Sequence, residues 1–250
     1  MDLLQWDSQS NWRILLRWDS AEMKCVILQP SYIPWRGYFH QIQKADVFVF
    51  FDDVQYDKRG WRNRNQIKTA SGLQWLTVPV LAKGHQDTGQ LIKDTRICWD
   101  TDWVGKHWKA IEMAYSRAPY FRQCADVIER LYRTRPEMLA DFTIDLTETI
   151  AKLLGIEGTR FVRSSSLSTA GTKTEHLINV CAAIGATHYI SGPSAKDYLD
   201  EEMMGRHGIS VEFMRYDYPE YPQLHGSFEP AVTILDLLFM TGGDAGRYIW

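Results

Sequence analysis

The sequence predicts an α/β fold: a mostly parallel sheet with flanking helices, a basic β-hairpin insertion and a helical middle segment. Three observations lead there. Two short apolar runs, KCVILQ at 24–29 and DVFVFF at 46–51, flank a loop-and-helix stretch, which is the pattern of a βαβ unit. Between roughly 102 and 153 apolar residues recur at helical spacing. After Gly155 helix and strand signals alternate again, so the sheet resumes late in the chain.

Taken in order, residues 1–22 come first. Their ILL triplet is flanked by Arg13 and Arg17, which is too mixed in charge for a signal peptide. They read as an N-terminal extension, with a single domain over 23–250. The first strand runs to Gln29 and is stopped by Pro30. A loop holding Pro34 and Gly37 leads into a helix of about two turns through Tyr38 to Lys44, and the second strand follows. Segments 64–68 and 73–80 flank Ala70, Ser71 and Gly72, the signature of a hairpin, with Pro79 marking a sheet edge. The polar stretch 83–90 reads as a mobile surface loop.

In the middle segment Val104, Trp108, Ile111 and Tyr115 should face the core, and Pro119 can open the next helix. Leu139, Phe142, Leu146, Ile150 and Leu153 form a longer stripe, closed by Gly155. Thr172 and Glu175 are spaced as a capping box for a helix ending at Gly185. A strand at 187–191, a helix around 196–204, a strand at 209–216 and a closing helix at 232–240 complete the fold.

Composition narrows the function. The chain is 45% hydrophobic and 24% charged, with a formal net charge of -3, so it is globular and lacks a global footprint for nucleic acid or an anionic membrane. No apolar run approaches the ~20 residues that span a bilayer. Cys25, Cys98, Cys124 and Cys181 lie far apart with no CxxC, as expected of reduced thiols in a cytoplasmic protein. No metal site is expected.

Polar chemistry concentrates between Gln29 and Lys68. Gln29, Tyr32 and Trp35 sit at the carboxyl end of the first strand, where open α/β sheets bind ligands, and the next helix aims its amides there. Asp52, Asp53 and Gln55 follow the second strand. Adjacent acids on an extended chain point to opposite faces, so the two aspartates suit separate roles better than one metal site. Asp53 is the candidate base. In the run 58–68 (KRGWRNRNQIK) five of eleven residues are Lys or Arg. Lys58, Arg62, Arg64 and Lys68 could clamp a phosphorylated ligand, or merely protect a solvated edge strand. Alternation would put Arg62, Arg64, Gln66 and Lys68 on one face, as a continuous cationic row. His107 lies beside the apolar stripe of its helix, as a second candidate base or a half-buried structural histidine. Tyr198, Asp200, Tyr221 and Gln223 are loop polar residues of the kind that line sites.

Several of these stretches together resemble the WbqC-like family. The carriers are QPSYIPWRGYF at 29–39, ADVFVFFDDVQYDKRGWRNRNQIK at 45–68 and LTVPV at 76–80, followed by KHW at 106–108 and YSRAPYF at 115–121. YISGPSAKDYLD at 189–200 and YPQLHGSFEPAVTILDLLF at 221–239 complete the set. The chain departs from the family's common His-Pro at Tyr218-Pro219. The resemblance implies a bacterial setting in O-antigen and other surface-polysaccharide gene clusters. In that setting the expected activity is transfer of an acyl or aminoacyl group to a nucleotide-linked amino sugar. The donor would be a phosphopantetheine-linked or CoA thioester, and an acyl carrier protein could present it. Two alternatives remain at this point. One is a Mg-dependent nucleotidyltransferase-like enzyme, echoed by Tyr32-x-Pro34-x-x-Gly37-Tyr38 between two strands. The other is a non-catalytic binding subunit of a glycan-assembly complex.

Overall fold

A computed structural model describes residues 22–82 and 89–250. Residues 1–21, and residues 83–88 of the expected surface loop, lie outside the described residues.

The main sheet has five strands, all parallel. In chain order they are β1 (Lys24–Leu28), β2 (Val47–Phe50), β7 (Arg160–Arg163), β8 (His188–Ser191) and β9 (Ser210–Phe213). In space the order is β7-β2-β1-β8-β9. The chain therefore builds outward from β1 in one direction through β2 and β7. It then returns and builds in the other through β8 and β9. The sheet reverses between β1 and β8, and ligands of open α/β sheets settle at such a switch point.

Both faces of the sheet are covered, which explains why its central strands are continuously apolar. Val26, Phe48, Phe50 and Ile190 enter the larger core, with Tyr38, Phe39 and Ile42 of α1 (Arg36–Lys44). The same core holds α2 (Trp103–Tyr115), α3 (Phe121–Arg133), α4 (Leu139–Leu153) and α7 (Ile234–Thr241). Cys25, Ile27, Val47 and Val49 point the opposite way, against Leu177, Val180 and Cys181 of α5 (Lys173–Ile184) and Met204 of α6 (Glu201–Arg206). This alternation is the two-residue period of a strand.

The hairpin forms as expected, with β3 (Arg64–Thr69) antiparallel to β4 (Gly72–Thr77). Thr69 pairs with Gly72 across Ala70 and Ser71, and Gly72 takes the left-handed backbone the tight turn needs, at φ 107°. Asn65 fastens it to the sheet by donating to the Ile33 carbonyl at 2.7 Å. The Thr233 amide donates to the Gln66 carbonyl at 3.0 Å, so the start of α7 is tied to the same strand. A minor antiparallel pair, β5 (Val80–Leu81) with β6 (Arg96–Ile97), completes the described strands.

Several expectations need correction. Strand β7 was not anticipated, because RFVR offers only two apolar residues between charges. The helix expected around 196–204 is two pieces, a short 3₁₀ turn at Pro193–Asp197 and then α6, because Asp200 accepts from the Met203 amide at 2.8 Å and caps a new start. Thr172 does occupy the N-cap position of α5, but its side chain makes no capping bond. Pro119 stands ahead of α3, whose cap residue is Tyr120. On α2 the fully buried positions are Trp103, His107, Ile111, Ala114 and Tyr115, with Val104 and Trp108 only partly covered.

Candidate functional site

A cleft of about 1550 Å³ opens where the sheet reverses, above the carboxyl ends of β1, β2 and β8. Six segments line it, residues 189–198 and 230–231 among them, and four carry most of its polar groups. Gln29, Ser31, Pro34 and Trp35 come from the β1–α1 loop, and Phe51, Asp53 and Gln55 from the end of β2. Trp61, Arg62 and Asn65 come from the approach to the hairpin. The loop between β7 and α5 supplies residues 169–173, with His176 just inside the helix. Three of the four left-handed non-glycine residues among the described residues, Ile33, Ser168 and Lys173, sit in these loops. Backbone strain is thus concentrated around the cleft, where surrounding structure must hold it.

The two adjacent acids divide as strand geometry requires. Asp52 is fully buried; its carboxylate accepts from the Ser165 amide at 3.1 Å and the Ser165 hydroxyl at 3.0 Å. It stitches the end of β2 to the segment after β7. Asp53 turns to the cleft instead. The Ser164 hydroxyl accepts from the Asp52 amide at 3.1 Å and donates to Asp53 Oδ1, with Asp52 Oδ1 a second, more distant acceptor at 3.3 Å. On the far side of the carboxylate, 3.7 Å away, is His176 Nε2. That nitrogen is also 3.3 Å from the Thr169 hydroxyl, and the imidazole packs 4.8 Å from the Phe51 ring. Gly171 makes this approach possible: its φ is 125°, and a Cβ there would meet the His176 amide nitrogen at 3.0 Å.

Arg62 faces the same space. Its Nε is buried without a hydrogen-bond partner; burial lowers its pKa, and the Asp57 carboxylate nearby partly opposes that shift. Since Thr172 caps nothing, the first amides of α5 keep their free hydrogens beside Lys173 on the cleft wall. A cation whose buried Nε has no hydrogen-bond partner and a helix start without a side-chain cap therefore meet in one cleft. Trp35 closes the floor by lying over Gly37, where a Cβ would come within 2.4 Å of the indole, and by packing 4.9 Å from Tyr216.

The structure brings Gln29, Trp35, Asp53, Gln55, Arg62 and Tyr198 together as cleft lining. It separates the others. Tyr32 and His107 are buried in an aromatic cluster with Trp103, Tyr132 and Phe142. The Tyr32 hydroxyl lies 2.9 Å from His107 Nδ1 and bonds Tyr132, and desolvation holds the imidazole at about 4, below its ordinary range. The expected cationic row is split three ways. Arg62 enters the cleft, Arg64 lies over the Trp75 ring at 4.7 Å and donates to the Arg59 carbonyl, and Lys68 is buried. The Lys68 ammonium donates to Gln223 Oε1 at 2.6 Å and to the Ser227 carbonyl, so it holds the C-terminal segment and not an anion. Gln223 also bonds Tyr221, which packs beneath the Arg36 guanidinium. Lys58 is exposed outside the lining, and Asp200 serves as the α6 cap. His176, Ser164 and the loop 169–173 were missed. The only signal for them was the strand after Gly158, too short to be recognised.

No helix of the described residues is long and apolar enough to cross a membrane. No solved structure matches the chain. A Mycobacterium tuberculosis (strain ATCC 25618 / H37Rv) relative, named "Uncharacterized protein Rv1507c", is 46% identical over 228 residues, covering 90% of this chain and 97% of the relative. A family model described as the WbqC-like protein family matches residues 29–248, from the loop that follows β1 through the hairpin and the other loops that line the cleft. The chain belongs to the WbqC-like protein family.

Proposed function

We propose that this protein is a transferase of surface-polysaccharide assembly that moves an acyl or aminoacyl group from a thioester donor to the amine of a nucleotide-linked amino sugar. The observation that carries the reading is the Asp53–His176 pair, 3.7 Å apart on a cleft also lined by Arg62, whose buried Nε has no hydrogen-bond partner. The donor is a phosphopantetheine-linked or CoA thioester, and both substrates bring phosphate groups that Arg62 and the α5 amides suit.

In the reaction the sugar amine attacks the thioester carbonyl, and the amine proton passes to Asp53. The intermediate then collapses with loss of the C–S bond, and the departing thiolate takes up a proton that His176 can relay. An amide and a free thiol result, with no covalent enzyme intermediate. Ser164 fixes the carboxylate and Phe51 fixes the imidazole, so neither needs to reorganise.

The test is incubation with panels of nucleotide-linked amino sugars and of acyl-CoA or acyl carrier thioesters, read by mass spectrometry. One acyl increment on a sugar, lost in Asp53→Asn, is the expected result. Absence of any increment across panels on which other acyltransferases act removes the reading.

A second reading is favoured by one observation, the strand order that reverses beside β1, which suits a nucleotide-binding sheet. Under it the reaction is Mg-dependent nucleotidyl transfer. Saturation at 100 times the dissociation constant raises stability by ~2.7 kcal/mol. A thermal shift with nucleoside triphosphate and Mg²⁺, but not with diphosphates, would select it.

A further inference from the structure

Two indoles stand in the open at the cleft mouth. Trp61 is 47% exposed and Trp75 is 45% exposed, yet their rings are stacked, 5.5 Å apart and 27° from parallel. Exposed single aromatics need no explanation, but a stacked pair continuous with a cleft does. Trp61 belongs to both, since it lines the cleft and rests on Trp75.

The pair is held from below. Trp75 is fixed in the hairpin opposite Gln66, with the Arg64 guanidinium 4.7 Å over its ring. The Trp61 carbonyl accepts from the Tyr32 amide at 3.1 Å, which anchors that residue to the β1–α1 loop. A ring already immobilised on one face loses little freedom when a second flat group covers the other. Next to it in the chain, Arg62 lines the same cleft, with its Nε buried and unbonded. Neighbouring residues thus set a flat apolar ring and a cation side by side on one wall. Such a wall fits a ligand whose flat base is joined to an anionic diphosphate.

We propose that the Trp61–Trp75 stack is a nucleobase platform, on which the base of a nucleoside diphosphate lies at the cleft mouth with its phosphates inward at Arg62. The inference rests on the anion-binding part of the function proposed above and adds where the base sits. Stacking, unlike hydrogen-bond readout, tolerates different bases, so the platform accepts purines and pyrimidines with affinities that follow ring size.

Calorimetric titration of the protein with UDP, ADP, GDP and dTDP, and separately with inorganic pyrophosphate, tests it. The larger-ringed diphosphates should bind about tenfold more tightly than pyrophosphate, the range of one base–aromatic stack. Trp61→Ala should remove that advantage and leave pyrophosphate affinity within about twofold, while Trp61→Phe should restore part of it. Equal affinity of the wild-type protein for pyrophosphate and all four nucleotides overturns the platform and leaves the anion site standing. So does a Trp61→Ala variant that binds the nucleotides as the wild type does. Failure of pyrophosphate and every nucleotide to bind overturns the anion site, and the platform with it.

Discussion

Lys68 and Arg62 stand on the same hairpin approach, and the structure gives them opposite jobs. Lys68→Met isolates one of them, because methionine keeps a stem of similar length and removes only the ammonium. Lys68 is 7% exposed, and its ammonium makes two hydrogen bonds, to Gln223 Oε1 and the Ser227 carbonyl. Bonds to a charged donor contribute roughly 1.5–3 kcal/mol each. The low end applies here, since Gln223 Oε1 keeps the Glu229 amide at 2.9 Å and Ser227 is exposed, so its carbonyl can turn to water. The loss is then about 2–3 kcal/mol. For a domain of this size each kcal/mol lowers the melting temperature by roughly 2–4 °C, so a fall of about 5–10 °C is expected. Calorimetric melting and urea titration measure it, and pyrophosphate affinity should be unchanged. Arg62→Ala should behave in reverse, losing about tenfold or more in anion affinity while stability stays within about 1 kcal/mol. A Lys68→Met protein that melts with the wild type but binds anions poorly would show that Lys68 belongs to the site and that its bonding to the C-terminal segment is incidental.

Other expectations follow from the same geometry. Asp53→Asn and His176→Gln should each lower acyl transfer by ~10²–10⁴, the range of a general base, with melting nearly unchanged; steady-state assays beside calorimetry check both. His107, held at about 4 by burial, makes the folded state reject a proton that the unfolded chain accepts. Stability should therefore be intact above pH ~6.5 and decline as pH falls through about 4, by ~3 kcal/mol in all, a slope that urea titrations should find absent in His107→Gln. Gly37→Ala would drive a methyl into the Trp35 indole, so the ring must leave the cleft floor. The expected loss is ~1–3 kcal/mol of stability, together with weakened ligand binding, measured by melting and titration.

Much of the fold was legible because its signals are local. CVIL and VFVF are apolar at every position, which only a strand covered on both faces requires, and the structure covers both. The hairpin announced itself by its turn, and Asp53 by standing at the end of a buried strand. What failed were inferences that needed a neighbour. Alternation set Asn63, Asn65 and Ile67 opposite the cationic row, and all three are buried, but it could not say that the C-terminal segment would fold over the row's own face and bury Lys68. Helical spacing put His107 near a stripe and could not reveal that Tyr32 and Tyr132 would enclose it. His176 was invisible because its relevance depends on β7, whose four residues carry almost no pattern of their own.

Strand β7 pairs only with β2, across a separation from Val47 to Arg160 in the chain, and forms one edge of the sheet. Such an edge has little holding it beyond a single ladder, and long-range ladders close late in folding. Yet Ser164 follows it directly, and α5 with His176 hangs from its end. If that edge peels away, Asp53 keeps its place on β2 but loses both companions at once. The Asp53–His176 arrangement therefore depends on one edge ladder, so losing β7 would dismantle it while β1, β2, β8 and β9 could stay paired.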